Sequence, residues 1–506
     1  MKKTILFLLT FIVLFGGFLR FYDFTKDPPG LYIDEVSIAL NAYDILKTGK
    51  DQYGVHMPLF FESLGDWKVP GYIYIVTGSM AMFGKNEFAV RFPSALFGTA
   101  TIIVIFFLLE HVLSLAENTK KQKDTISLLA AGIFALTPWH IHFSRGGFEA
   151  VVALFFYALG MYFAFLFWQR KKMWQIILPV LLFLLAMYTY DSYRVVIPLT
   201  ACIGFMVGIQ DPTKRKGIII ASVLLIVFSL PLFLFSLTPS GQARFFQASA
   251  FVENPYASGI SKILGDVVIY SRNYLSYFSL TYLFRFGDQI NRHQVNDLGI
   301  LYIWQLPFII AGIYFLLQKK NKLLTFLTVG ILAIGVVPAA LARPSPHSLR
   351  FLIGSMPYAV LTALGIYQLI LQKKAWIRYL LIGIGIFAIV EIAYYLNYYY
   401  VNYPKEALID WGGACKETAL AMQQEGRVFR RIAIDTNLGC IREYFLFFSP
   451  QSSPLYVAPS WQEPTAWKGQ TLFVRPNYGN PKPENLIENI YLPNINHDVF
   501  AQLLKI

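Results

Sequence analysis

Apolar residues in this chain come in long unbroken blocks, not in the short alternations that mark half-buried strands. Crossing ~30 Å of hydrocarbon takes about 20 residues of helix. The blocks at 5–21, 88–112, 126–143, 150–168, 174–190, 195–209, 217–237, 299–317, 323–341, 351–371 and 377–398 therefore predict roughly eleven membrane spans. Three stretches interrupt them. In 22–87 the pattern predicts helices at 36–46 and 69–83, apolar on one side and opened by a cap or a proline, lying along the membrane surface. In 238–298 it predicts a helix at 260–278, within a loop too aromatic to be disordered. From 401 onward a helix at 405–425 and strands at 428–435 and 471–474 predict a small mixed α/β domain. The expected organisation is a multi-span α-helical membrane domain over 1–400, with outer loops 22–87 and 238–298, followed by an α/β domain over 401–506.

Charge fixes the orientation. Lys2-Lys3, Lys120-Lys121-Lys123, Arg170-Lys171-Lys172, Lys214-Arg215-Lys216, Lys319-Lys320-Lys322 and Lys373-Lys374 fall in every second connection. Cytoplasmic loops collect Lys and Arg, so the N-terminus is expected inside and the C-terminal domain outside a bacterial cytoplasmic membrane. The composition agrees: 56% hydrophobic and only 14% charged, where soluble domains carry about 25% charged residues. The net charge of +13 sits in separate clusters and forms no continuous face, which argues against nucleic acid. The first block has a basic start but no small-x-small site, so it is expected to remain as an anchor. Of three cysteines, Cys415 and Cys440 share the outer region, where an oxidising compartment would permit a bond that spacing alone does not establish.

Against this background the polar residues at the outer ends of the spans stand out. Asp34-Glu35 follows the first span, and such a pair beside cations and aromatics suits chemistry on a lipid-linked phosphate. Asp34 is the candidate general base, although it would also serve as a helix N-cap with Glu35 in the first turn. Asp66-Trp67-Lys68 precedes the second surface helix, where Lys68 would grip a phosphate or snorkel at the interface. His140, His142, Arg145 and Glu149 close the third span; histidines two apart on a helix point to different faces, which disfavours a shared metal. Tyr190, Arg194, Arg244 and Arg350 lie on the side that should be poor in cations, and a guanidinium binds phosphate as a bidentate fork.

The acidic pair, the Lys-x-Pro element at Lys68, and Arg91-Phe92-Pro93-Ser94 opening the second span resemble GT-C glycosyltransferases. Ser144-Arg145 with Glu149, Tyr188-Thr189-Tyr190 with Arg194, and Gly287-Asp288 with Arg292-His293 carry the same likeness. It is nearest to the bacterial proteins similar to protein O-mannosyltransferases and to the aminoarabinose transferases of lipid A, and it extends from 1 to about 400. Two departures are Val69, where the family's element has its first proline, and Glu149, where aspartate is common.

The resemblance implies inverting transfer of a hexosyl or pentosyl group from a polyprenyl-phosphate donor to a hydroxyl of a lipid, glycan or protein. Asp34 would be the base with Glu35 in support, Glu149 the further acid, and Lys68 a phosphate contact. Asp66, Arg145, Tyr190, Arg194, Arg244, Arg292, His293, His347 and Arg350 would complete substrate binding. No cofactor is certain; a divalent cation on Asp34 and Glu149 is a possibility, since relatives differ in metal use. Two other classes compete: a secondary transporter, whose ionisable residues would gather at the midplane of symmetric halves, and a non-catalytic lipid-phosphate-binding protein.

Overall fold

The computed structural model describes residues 3–115, 119–170, 172–254, 258–296, 298–425, 431–435, 442–448 and 471–475. Among the described residues, seven helices are long and apolar enough to cross a membrane: Lys3–Phe21, Glu87–Leu115, Glu149–Gln169, Pro212–Ser236, Lys322–Ala340, Leu352–Ile370 and Ala375–Val401. An eighth span is a bent pair, Lys120–Leu136 and Pro138–Arg145. The three remaining expected spans are the shorter helices Trp174–Met187, Tyr193–Gly208 and Ile303–Lys319. The first ends at Met187, short of the expected 190, where the turn at 188–192 begins, and the second starts at Tyr193, ahead of the expected 195. The chain is an integral membrane protein.

The third expected span is not one straight helix. It bends by 55° at Thr137-Pro138, because proline lacks the N–H that would continue the ladder and disfavours helical geometry in the residue before it. Such a break strands carbonyls at the end of the first piece. Arg20, fully buried in the first helix, caps them: Nη1 donates to Ala135 O at 3.0 Å and to its own helix at Gly16 O at 2.9 Å. Its Nη2 lies 3.0 Å from His140 Nδ1.

Close helix packing rests on small residues, as it must where lipid supplies no hydrophobic drive between helices. Leu306–Lys319 lies against Ser355–Ile370 so tightly that a Cβ added at Gly365 would sit 1.8 Å from Phe308 O. The reciprocal approach, at Gly312, leaves 2.2 Å to Leu361 O.

Outside the bundle, the first loop holds helices Ile33–Thr48 and Gly71–Phe83 and a hairpin of Phe61–Ser63 with Asp66–Lys68. Leu64 and Gly65 both have positive φ (58° and 76°), the conformation that closes a two-residue hairpin with the correct twist. The second loop holds Pro239–Ala248 and Gly259–Ser276. The expected helix at 405–425 is instead Tyr403–Glu406 and Gly413–Glu425, divided where Gly412 takes φ 68°. Arg431–Asp435 pairs in parallel with Thr471–Arg475. Cys415 is buried, whereas Cys440 lies outside the described residues. Cys415, Ala419, Tyr444 and Phe447 share a core with Leu31, Val36 and Ile38 of the first loop.

Gly365→Val is expected to disrupt this packing, since overpacking costs about 1–3 kcal/mol even where the backbone can yield. Its thermal midpoint in detergent should fall by several degrees (~4 °C per kcal/mol at most for large domains). Gly383→Ala, which meets nothing within 4 Å, should leave the midpoint unchanged.

Candidate active site

The loop from 22 to 32 has no long helix or strand, so its carbonyls need partners from elsewhere. Two buried guanidiniums provide them. Arg91 donates through Nη1 to Phe24 O (2.8 Å) and Pro28 O (2.7 Å), and through Nη2 to Gly30 O. Arg145 donates to Leu19 O (2.9 Å), Tyr22 O (2.7 Å) and Asp27 O (2.7 Å), and pairs with the Asp27 carboxylate at 3.0 Å.

Glu35 completes the frame. It is fully buried and forks onto Arg91, with Oε1 to Nε at 2.8 Å and Oε2 to Nη2 at 3.0 Å. It also accepts from Tyr32 N (3.0 Å) and Gly147 N (2.6 Å). A Cβ at Gly147 would lie 3.0 Å from Glu35 Oε1, so the turn must be glycine to approach this closely. One carboxylate thus joins the start of the Asp34 helix to the turn that launches Glu149.

Released from structural duty by its neighbour, Asp34 faces a cavity. Tyr32, not Asp34, occupies the N-cap position. Asp34 Oδ1 meets Lys68 Nζ at 2.7 Å, with the Asp34 side chain 30% exposed and that of Lys68 only 10%. Lys68 ends the hairpin, which is fastened to the Asp34 helix by Ser63 Oγ and Ser37 Oγ 2.6 Å apart. So enclosed an ammonium is not snorkelling at an interface.

The cavity is partly open to the outside, and with the adjoining solvent it spans roughly 620 Å³ of space not filled by atoms. Of the residues expected at a site, it brings together Asp34, Asp66, Lys68, Glu149, Tyr190, Arg292, His293, His347 and Arg350. Arg292 lies over the Tyr32 ring, its guanidinium carbon 4.5 Å from the centroid. Arg350 donates to Arg343 O at 3.2 Å. Asp288, outside the lining, holds His293 Nδ1 at 2.8 Å. Burial works against the Asp288 charge, but the His293 ring and N–H groups of Ser348 and Ile290 hold its carboxyl below the usual range. Burial also keeps His293 below its ordinary value, with Asp288 opposing.

Three expected residues with described side chains do not line it. Glu35 and Arg145 are the buried ties just described; each is spent on backbone and a counter-charge, and neither faces the cavity. Arg194 pairs with Asp191 at 3.1 Å, and it is Asp191 that lines the space. The Arg244 side chain lies outside the described residues. His140 and His142 diverge, the first toward Arg20 and the second to Arg292 O at 2.8 Å. Sequence reasoning passed over Tyr32, Trp67, Phe148 and Asp191 as lining residues, and Arg91 as a tie. Arg91 had a signal: a cation inside an apolar block is costly unless paired.

The comparisons with known proteins point to one fold. A profile of the dolichyl-phosphate-mannose-protein mannosyltransferase family matches residues 68–235. No curated protein matches. The structure is similar to that of ArnT from Cupriavidus metallidurans bound to undecaprenyl phosphate (TM-score 0.51, 11% identity, 91% of this chain and 87% of that one). It is also similar to the apo oligosaccharyltransferase of Archaeoglobus fulgidus (TM-score 0.52, 14% identity, 88% of this chain). The chain spans 58% to 64% of that enzyme's length in two of its structures. By fold, the chain is similar to these two membrane proteins.

Arg91→Met should destabilise the protein by about 3–5 kcal/mol, because it strands the buried Glu35 carboxylate and several carbonyls. Asp34→Asn, at a half-open position, should cost far less. Thermal unfolding of both variants in detergent checks the contrast.

Proposed function

We propose that this protein transfers a sugar from a polyprenyl-phosphate carrier to an acceptor hydroxyl, with inversion at the anomeric carbon. One observation carries the reading: a carboxylate and an ammonium, Asp34 and Lys68, meet at 2.7 Å in a cavity also lined by Glu149, Arg292 and Arg350. The GT-C fold, and a relative by fold whose structure holds undecaprenyl phosphate, support it.

In this reading Lys68, Arg292 and Arg350 hold the donor phosphate and take up charge as its bond to the sugar breaks. Asp34 accepts the proton of the acceptor hydroxyl as that oxygen bonds to the anomeric carbon from the opposite face. No acid need protonate the leaving group, because a phosphate departs as a stable anion. Glu149 orients the acceptor from the far side of the turn. Tyr190 and Trp67 offer ring surface to a sugar.

Asp34 and Glu149 are also the oxygens that a divalent cation would use in this cavity. Lys68 already supplies positive charge beside Asp34. The reading therefore assigns neutralisation to protein cations, and added magnesium should not alter turnover. Charge bears on orientation: along the chain, the lysine-rich connections alternate with those that carry the cavity residues. This supports an outward-facing site and a cytoplasmic N-terminus. The same placement, at one end of the bundle and not at its midplane, speaks against a transporter.

Asp34→Asn should lower kcat by about 10²- to 10⁴-fold while donor binding survives. Lys68→Ala should weaken donor binding, read as a raised KM. Assays with a panel of polyprenyl-phosphate sugars and purified protein test both, and full turnover by Asp34→Asn would overturn the assignment.

A further inference from the structure

Behind the cavity, two loops converge on one cluster that the transfer reading leaves without a task. His293 comes from the loop after Gly287, His347 from the loop after Arg343, and Asp288 stands behind His293. All three are buried, and one ligand atom from each lies within 4.8 Å of the others. Both imidazoles reach the cavity lining.

Three observations point to a ligand for this cluster. His293 Nε2 is buried and has no hydrogen-bond partner among the described residues, although an unsatisfied imidazole nitrogen in such surroundings is costly. Asp288 fixes the other nitrogen: its Oδ2 accepts from His293 Nδ1 at 2.8 Å and from Ser348 N at 2.6 Å, while Oδ1 accepts from Ile290 N at 3.0 Å. The Nε2 lone pair is thereby left on the ring edge away from Asp288, the arrangement by which a carboxylate orients a metal-binding histidine. Finally, the His293 and His347 ring centres are 4.9 Å apart. Two imidazoles bound to one tetrahedral ion through ~2.1 Å bonds have ring centres about 5 Å apart.

We propose that His293 and His347 bind a divalent transition metal of the zinc class, with Asp288 as the carboxylate behind His293. Imidazole ligands favour zinc, cobalt, nickel or copper over magnesium. The remaining positions of the ion face the cavity. Arg292 and Arg350 stand close by, and the Asp288 charge, with Asp66, Glu149 and Asp191 across the cavity, offsets their repulsion of a dication, while Asp34 is paired with Lys68. The ion would clamp the two loops that carry Arg292 and Arg350. It is a different site from the carboxylates Asp34 and Glu149 and does not depend on the transfer reading.

The test uses full-length, tag-free protein in detergent, stripped of metal and titrated with cobalt(II) chloride and then zinc chloride. The expected result is one equivalent of cobalt per chain with visible d–d absorption, displaced by zinc, and a zinc-dependent rise in thermal midpoint. His293→Ala and His347→Ala should each lower affinity at least tenfold, and Asp288→Asn by about 10- to 100-fold. His347→Gln, which keeps the bulk of the ring, guards against a packing defect and should lose the metal while unfolding cooperatively. Asp34→Asn should bind cobalt like the wild type, which separates this site from the proposed base. The absence of saturable binding, or one retained equivalent in a His293→Ala/His347→Ala double variant, would overturn the proposal.

Discussion

Arginine side chains deep in the outer end of the bundle hold a stretch of backbone that could not otherwise exist there. Residues 22–32 leave the first span without forming regular structure, and in a poorly hydrated setting each bare carbonyl would cost free energy. Arg91 and Arg145 together donate to five of these oxygens, and Arg145 also to Leu19 O at the end of the span. Their own charges are answered by Glu35 and Asp27. Neither pair is a strong net source of stability, since desolvating two ions consumes most of their attraction. What they supply is a single geometry. Asp34 follows directly from the frame on one side and Glu149 on the other, so the distance between the two acids is set by groups that face neither substrate nor solvent.

Much of this was legible in the sequence because it depends on one-dimensional patterns. Block length and the alternation of lysine clusters located the spans, and each expected span is helical, the third as a bent pair. The cavity residues could be listed because polar side chains at outer span ends are few. What the pattern could not do was divide neighbours into roles. Asp34 and Glu35 are adjacent acids, yet a rotation of about 100° per residue on a helix sends one to the cavity and the other to Arg91. Arg194 was expected as a phosphate contact and Arg145 as a substrate contact for the same reason: a guanidinium fits a nearby aspartate or a carbonyl cage as well as it fits a ligand. The bend at Pro138 was visible in principle. Its partner was not, because Arg20 lies more than a hundred residues away.

The cavity brings both signs of charge into one partly open space. Four carboxylates (Asp34, Asp66, Glu149 and Asp191) share it with Lys68, Arg292 and Arg350. Weak screening makes each interaction strong and makes any unmatched charge expensive. A near balance without ligand means that an entering anion must find its cations partly engaged, and a departing one leaves no bare cluster behind. The hairpin and the two histidine-bearing loops differ in origin along the chain, so the balance is a property of the assembled fold and of no single segment.

Arg20 gives the opening transmembrane segment a duty beyond tethering. Because that side chain completes the broken ladder of a distant helix, a foreign leader of equal greasiness and length would still insert but would leave Ala135 O unanswered. In this protein the membrane anchor is a working part of the scaffold, and exchanging it for a generic one would loosen the elbow from which His140 through Glu149 descend.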